Sequence, residues 1–353
     1  MNAPVDTTQK VIEVDLHDAA QARRVEAFVA ERRASLFHRP AWLLGVEAGT
    51  GQRAAGLAIE RLGVITGWLP LTRVRSLLFP PALVSSGFAV GGGICSVNAE
   101  AAELLARAVE EFAVSNSYPS VELRGGPIPK SWARWDDKHC GFARKLAADD
   151  DAELLAIPRK ARAEVRKGLK FGLPVRIGRS KRDLADHFAV YSKSVRNLGT
   201  PVFPRKLFAA MLDAFPDSSD ILTVFKDDEP IASVLSFYHD GAVMPFWGGG
   251  TFGARAARAN ELMYYELMLH ARRKGMQRFD FGRSKTGSGP YKFKKHWGFE
   301  PTPLAYGAWT APGAEARNID PTSEAYRNKI DRWKKLPLPV ANLVGPFIAR
   351  GLA

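Results

Sequence analysis

The segment Tyr291–Phe299, YKFKKHWGF, sets Lys292, Lys294, Lys295 and His296 among Tyr291, Phe293, Trp297 and Phe299. Read as a strand, alternate residues share a face, so Lys292, Lys294 and His296 point one way and Tyr291, Phe293, Trp297 with Lys295 the other. One face is cationic and the other apolar, and Lys292, Phe293 and Trp297 become candidate substrate-binding residues. The preceding SKTGSGP is built of small, flexible residues. Just upstream, Arg283 and Lys285 follow the strand pattern RFDFG at a sheet end, where they can grip substrate phosphates.

A second concentration of charge lies at 157–182, IPRKARAEVRKGLKFGLPVRIGRSKR. Pro158 is placed to begin a helix and Gly172 to end it. Arg159, Arg162, Arg166 and Lys170 recur at helical spacing as one basic stripe, with Lys160 and Lys167 beside it. Glu164 alone does not balance six cations, so the stripe asks for an anionic or acidic partner. Arg159, Arg162, Arg166 and Lys167 are therefore candidate binding residues. Residues 191–212 join Tyr191, the pair Arg196 and Asn197, and a Gly-Thr-Pro turn, a mix suited to a loop lining a pocket.

These residues hang on a repeated frame whose two copies stand about 157 residues apart. In the first copy an apolar run ending in Phe88-Ala89-Val90 enters Gly91-Gly92-Gly93, a helical stretch AEAAELLARAVEEFAVSNS follows, and SVELRGG reads as a strand. In the second, AVMPFW enters Gly248-Gly249-Gly250 through Trp247, ARANELMYYELMLHARRKG is helical, and RFDFGRS is a strand. Ahead of each copy lies a strand, a tight turn and a strand, with Gly63 and Asp227-Asp228 at the turns. The order predicts an α+β fold, a mixed β-sheet with packed helices made twice over. The expected division is a first domain at 1–150, a basic helical connector at 151–182, a second domain at 183–310 carrying the site, and a tail at 311–353.

The chain has 353 residues, 46% apolar and 25% charged, with 8 Trp and 20 Phe, which suits two folded domains and excludes a disordered chain. Cys95 and Cys140 stand alone, so no disulfide framework and no cysteine-ligated metal is indicated. No leader pattern and no span of about 20 apolar residues is visible, which points to the cytoplasm. A net charge of +13 sets up a field that concentrates anions: nucleic acid, nucleotide or pyrophosphate substrates, or an acidic membrane face. The tail RWKKLPLPVANLVGPFIARGLA, broken by Pro337, Pro339 and Pro346, caps the core or lies at an anionic membrane surface.

Six segments, IPRKARAEVRKGLKFGL, SVRNLGTPVFP, PFWGGGT, FDFGRSKTGSGPYKFKKHWGFEP, FAVGGGI and LPLPVAN, together resemble the Fem-type (FemAB family) transferases, in the branch associated with exosortase/PEP-CTERM exopolysaccharide systems. The resemblance runs over nearly the whole chain and implies two acetyltransferase-like (GNAT) domains in tandem. It further implies transfer of an acyl or aminoacyl group onto an amine or hydroxyl of an exopolysaccharide or peptidoglycan precursor. The family pattern Phe-Lys-x-x-aromatic-Gly falls on Phe293, Lys294, Trp297 and Gly298, which by that match puts Lys294 beside the reacting carbonyl, with Trp297 where Phe is commoner. Attack on an ester or thioester creates an oxyanion that such an ammonium stabilises. His296, a substrate carboxylate or phosphate, or a water chain can take the proton. Trp247 joins the binding set from the matching segment PFWGGGT, beside Tyr191 of the 191–212 stretch.

No tightly bound cofactor is implied; the donor is aminoacyl-tRNA or acyl-CoA. The acyl-CoA cradle runs Arg or Gln, two residues, Gly, one residue, then Gly or Ala, whereas here the stretch is Arg255-Ala256-Ala257-Arg258-Ala259-Asn260. Ser96–Glu100 in the first copy carries a carboxylate there. A CoA cradle is thus not visible, and both donors stay open, as does a non-catalytic scaffold that binds tRNA or another anion.

Overall fold

The computed structural model describes residues 9–317 and 330–352, and the part of the expected tail at 318–329 lies outside the described residues. The described residues form two compact units, each with one mixed sheet.

Unit 1 takes the chain up to Asp136, returns at Leu304 and is completed from Phe347. Its strands are β1 (Lys10–Glu13), β2 (Arg53–Arg61), β3 (Val64–Val74), β4 (Ala82–Val84), β5 (Cys95–Ser96), β6 (Ser120–Arg124), β7 (Ala133–Trp135) and the late β15 (Tyr306–Thr310). They lie in the order β1-β2-β3-β4-β6-β15-β7, with β5 on β3. The helix α3 (Ala99–Ser115), capped by the Asn98 side chain on Ala101 N, buries Ala101, Leu105 and Val109 against this sheet. The helices α1 (Ala19–Glu31) and α2 (Pro40–Thr50) close a second core around Val25, Phe28, Leu43 and Trp68.

Unit 2 begins at Asp137. Its sheet runs β14-β8-β13-β12-β11-β10-β9, with β8 (His139–Lys145), β9 (Val175–Gly178), β10 (Ser219–Lys226), β11 (Glu229–His239), β12 (Ala242–Gly250), β13 (Arg278–Lys285) and β14 (Pro301–Pro303). Its helices are α4 (Asp150–Ala156), α5 (Arg159–Lys170), α6 (Lys181–Leu198), α7 (Arg205–Ala214), α8 (Phe252–Ala256), α9 (Ala259–Arg273) and α10 (Gly289–His296).

The repeat is there in both units. A hairpin (β2–β3 or β10–β11) is followed by an antiparallel strand (β4 or β12), a helix (α3 or α9) and a strand (β6 or β13) parallel to the one before the helix. The turns fall at Leu62-Gly63 and Asp227-Asp228, all at positive φ. The core of unit 2 gathers Leu222, Val234, Leu262, Met263, Phe279 and Trp297 between sheet and helices.

Four expectations change. The domain boundary at 150 moves to 136/137, because β8 pairs with β13 and β14 and so belongs to the second sheet. The segment 151–182 is no connector: α5 packs Ala161, Val165 and Gly168 into the core of unit 2 beside α9. Phe88-Ala89-Val90 is not a strand, since Ser86 and Phe88 take positive φ and Ser86 Oγ and the Gly87 carbonyl bond to Phe37 O and Trp42 Nε1. Residues 191–212 are mostly helix: the Ser180/Asp183 capping box starts α6, which runs to Gly199 at φ +84, and α7 follows from Pro204.

Candidate active site in the second unit

The strand read into YKFKKHWGF is helix α10. Ser288 caps it through its hydroxyl on Tyr291 N, and Pro290 sits in its first turn, where a missing N–H is harmless. The period is therefore 3.6 and not 2, which re-sorts the side chains. Tyr291, Lys294 and Trp297 turn inward, while Lys292, Lys295 and His296 face solvent. Lys294 thus parts company with Lys292 and His296 and goes in with the aromatic rings. His296 lies instead close enough to Glu164 to help hold that carboxyl below its usual range, a shift owed first to the Lys167 hydrogen bond.

Buried beside Phe142 and Phe281, the Lys294 ammonium donates to the carbonyls of Phe281 (2.6 Å), Arg283 (3.1 Å) and Gly282 (3.4 Å). An ammonium has three donors, so each finds an acceptor on one short stretch of β13. That stretch is irregular. The register of β13 against β8 shifts between Asp280 and Arg283, Gly282 has φ +64, and its N–H is held by Asp280 Oδ1 at 2.8 Å. Lys294 is thus the clamp of a bulge. Burial lowers its pKa to about 8, with Asp280 opposing the shift and Arg283 adding to it. At neutral pH the group is a cation in an apolar surround.

The bulge lies where the sheet opens. β12 and β13 pair in parallel through two residue pairs, Ala242 with Arg278 and Val243 with Phe279, and then pair no further although both strands run on. A second irregularity, in the β11–β12 register beside Leu235 and Ser236, bends β12 on the other side. The result is a wedge between two parallel strands, with Lys294 fixed on the β13 arm.

The β12 arm ends in the three glycines. A Cβ at Gly249 would overlap Ser194 of α6, and one at Gly250 would overlap Asn260 of α9. Glycine lets both helices press on the strand end. There a small cleft of about 60 Å³ opens, lined by Ser194, Asn197, Leu198, Thr251, Phe252 and Arg255. Asn197 is the predicted binding residue that reaches it. Arg196, beside it, bonds the carbonyls of Lys334 and Leu336. Sequence reading missed Ser194, Thr251 and Phe252, because no local pattern tells a helix end and a strand end that they meet.

The other predicted binding residues divide between surface and core. Arg159, Arg166 and Lys167 are exposed on α5, with Arg162 half-buried on the Leu155 carbonyl at 3.1 Å. Arg283 and Lys285 are half-buried on β13, and Lys292 is exposed. Tyr191 and Trp247 are buried in an aromatic cluster with His187 and Phe208, the rings of Tyr191 and Trp247 each meeting Phe208 at 5.1–5.2 Å. Phe293 and Trp297 pack into the core of unit 2. These four hold the frame of the site.

In unit 1 the corresponding opening is filled. β4 and β6 also pair in parallel through two residue pairs, but the loop Gly91-Gly92-Gly93 then enters between them. Gly93 N bonds Arg124 O at 3.0 Å, and a Cβ on Gly93 would overlap the Gly125 carbonyl. The same glycine run plugs the wedge in one unit and edges it in the other.

An acetyltransferase (GNAT) domain family matches residues 158–295, within unit 2. No curated protein sequence matches the chain. Among solved structures, FemX is similar with a TM-score of 0.61 at 14% identity, over 84% of this chain and 96% of its own. A tandem GNAT protein from the clavulanic acid biosynthesis pathway gives 0.59 at 11% identity, over 87% and 100%. The C-terminal domain of a putative lysylphosphatidylglycerol synthetase from Agrobacterium fabrum gives 0.55 at 13% identity, over 83% and 93%. The architecture is a tandem GNAT-type α+β fold, and the match to the GNAT domain family falls on its second repeat.

Proposed function

We propose that this chain transfers an acyl or aminoacyl group from an activated donor to an amine or hydroxyl of a cell-envelope precursor, an exopolysaccharide or peptidoglycan intermediate, at the wedge of unit 2. The observation that carries the reading is the separation of β12 from β13 with the Lys294 cation clamped on one arm. Strands that part leave amide groups along the wedge able to pair with an extended donor. Attack on the donor carbonyl makes an oxyanion, and a preorganised ammonium in a water-poor site stabilises it. The Gly282 bond, the longest of the three at 3.4 Å, is the one an oxyanion replaces.

For the donor, the α9 end favours aminoacyl-tRNA. Gly168 of α5 lies 2.9 Å from the Arg258 carbonyl, measured from where its Cβ would stand, and Arg258 Nε is held by Glu164 at 2.6 Å, so α5 stands over the start of α9. The exposed cations of α5 then offer phosphates a face of their own. One similar structure names an aminoacylated lipid, lysylphosphatidylglycerol, in its own description. The second reading, acyl-CoA, draws on the β12 edge where the ladder to β13 stops, which suits a chain bearing amides. The exosortase/PEP-CTERM setting and cytoplasmic location belong to the same proposal.

Thermal-shift titration with acetyl-CoA and, separately, with aminoacylated tRNA separates the donors, since a ligand of the folded state raises the midpoint by mass action. A rise with charged tRNA, smaller with uncharged tRNA, is the expected result. A saturable rise with acetyl-CoA alone assigns the acyl-CoA reading, and no rise with either overturns the transferase assignment.

A further inference from the structure

The helix Leu338–Ala349, LPVANLVGPFIA, contains no charged residue. One face is used: Ala341 and Ala349 are buried, and Gly345 packs on Val202, whose side chain and backbone stand 2.9 Å from the position of its Cβ. The opposite face is equally apolar and meets water. Val340, Leu343, Val344 and Phe347 are 42%, 70%, 39% and 61% exposed. Their spacing makes a single stripe along the helix. A helix serving only to cap a core would carry polar residues there.

The surroundings are cationic. Arg332, Lys334 and Lys335 precede the helix and are exposed, with Asp331 pairing Lys334 at 3.2 Å. Arg350 follows it, its guanidinium 5.8 Å from the Phe347 ring. Twelve residues span about 18 Å, short of the roughly 30 Å of a bilayer core. Among the described residues no helix is long and apolar enough to cross a membrane. Such an element lies along an interface rather than through it.

We propose that the apolar stripe of the helix Leu338–Ala349 seats this protein on the surface of an anionic lipid bilayer. The apolar stripe enters the boundary between headgroups and acyl chains, and Arg332, Lys334, Lys335 and Arg350 meet lipid phosphates. Protruding apolar side chains suit a fluid interface, which takes any shape, whereas a protein partner must supply a matching pocket. The inference stands on these surfaces alone and holds whichever group the chain transfers.

Sedimentation of the full chain with vesicles tests it. Vesicles rich in phosphatidylglycerol should bind about tenfold more tightly than vesicles of phosphatidylcholine alone. Leu343→Glu with Phe347→Glu should weaken that binding about tenfold. Both side chains are exposed, so an unchanged thermal midpoint verifies folding. On the wild-type chain, which needs no variant, salt that shortens the Debye length to about 3 Å should remove most of the preference for phosphatidylglycerol. Binding retained by Leu343→Glu with Phe347→Glu overturns the proposal, as does a failure to bind phosphatidylglycerol vesicles at low salt. A vesicle-free dimer that Leu343→Glu with Phe347→Glu converts to monomer also overturns it, assigning the stripe to a second copy.

Discussion

Lys294 shows how much one side chain's chemistry depends on its surroundings. On the surface it would be an ordinary cation with its charge spread into water. Here burial weakens its hold on the proton, and three backbone carbonyls fix where the charge sits. Lysine that is less basic folded than unfolded burdens the native state while both forms are protonated, and that burden lifts as pH climbs from about 8 towards the unfolded value of 10.5. If the cation stabilises the oxyanion, turnover should fall along a single ionisation above about pH 8, measured as a pH–rate profile. Lys294→Met should lower kcat by about 100-fold or more and also lower the thermal midpoint, since the carbonyls of Phe281, Gly282 and Arg283 lose their donor. Turnover within a few-fold of wild type would take Lys294 out of the chemistry and leave it a clamp on the bulge. Its sequence signal was the family pattern around Phe293 and Gly298; the carbonyls it grips lie on another element and carry no signal of their own.

At the scale of elements, the two glycine runs separate what the sequence makes visible from what it hides. Gly91-Gly92-Gly93 and Gly248-Gly249-Gly250 look equivalent as strings, and the repeat built around them holds in the hairpins, helices and parallel strands of both units. Their jobs differ because their neighbours do. The first run threads between β4 and β6 against the Gly125 backbone, and the second ends β12 under α6 and α9. Gly93→Ala, which drives a methyl into a carbonyl that cannot move aside, should destabilise the protein by about 3 kcal/mol or more, read as a shift in denaturant midpoint. Gly241→Ala, at φ +71 but with open space around its Cβ, should cost only about 1 kcal/mol. The error at α10 is of the same kind: alternating Lys and aromatic residues imitate a strand, and the Ser288 cap with Pro290 decides for a helix.

Across the whole molecule, the charge of +13 is a property of composition and was legible at once. It makes any gain in thermal midpoint from tRNA strongly dependent on salt, because bound cations release counterions. That gain should shrink steadily as the logarithm of salt concentration rises, and a gain indifferent to salt would place the contact elsewhere than the exposed face of α5. The α+β class, the duplication, the basic helix and the strand preceding the site followed from local patterns: hydrophobic period, turn residues and caps act between neighbours in the chain, so sequence alone determined them. The unit boundary at 136/137, the filled wedge of unit 1 and open wedge of unit 2, the inward turn of Lys294 and the exposed apolar face of Leu338–Ala349 were decided by tertiary structure. Each depends on which surface packs against a segment distant in sequence, and that is a property of the assembled fold, set by shape and burial rather than by neighbouring residues.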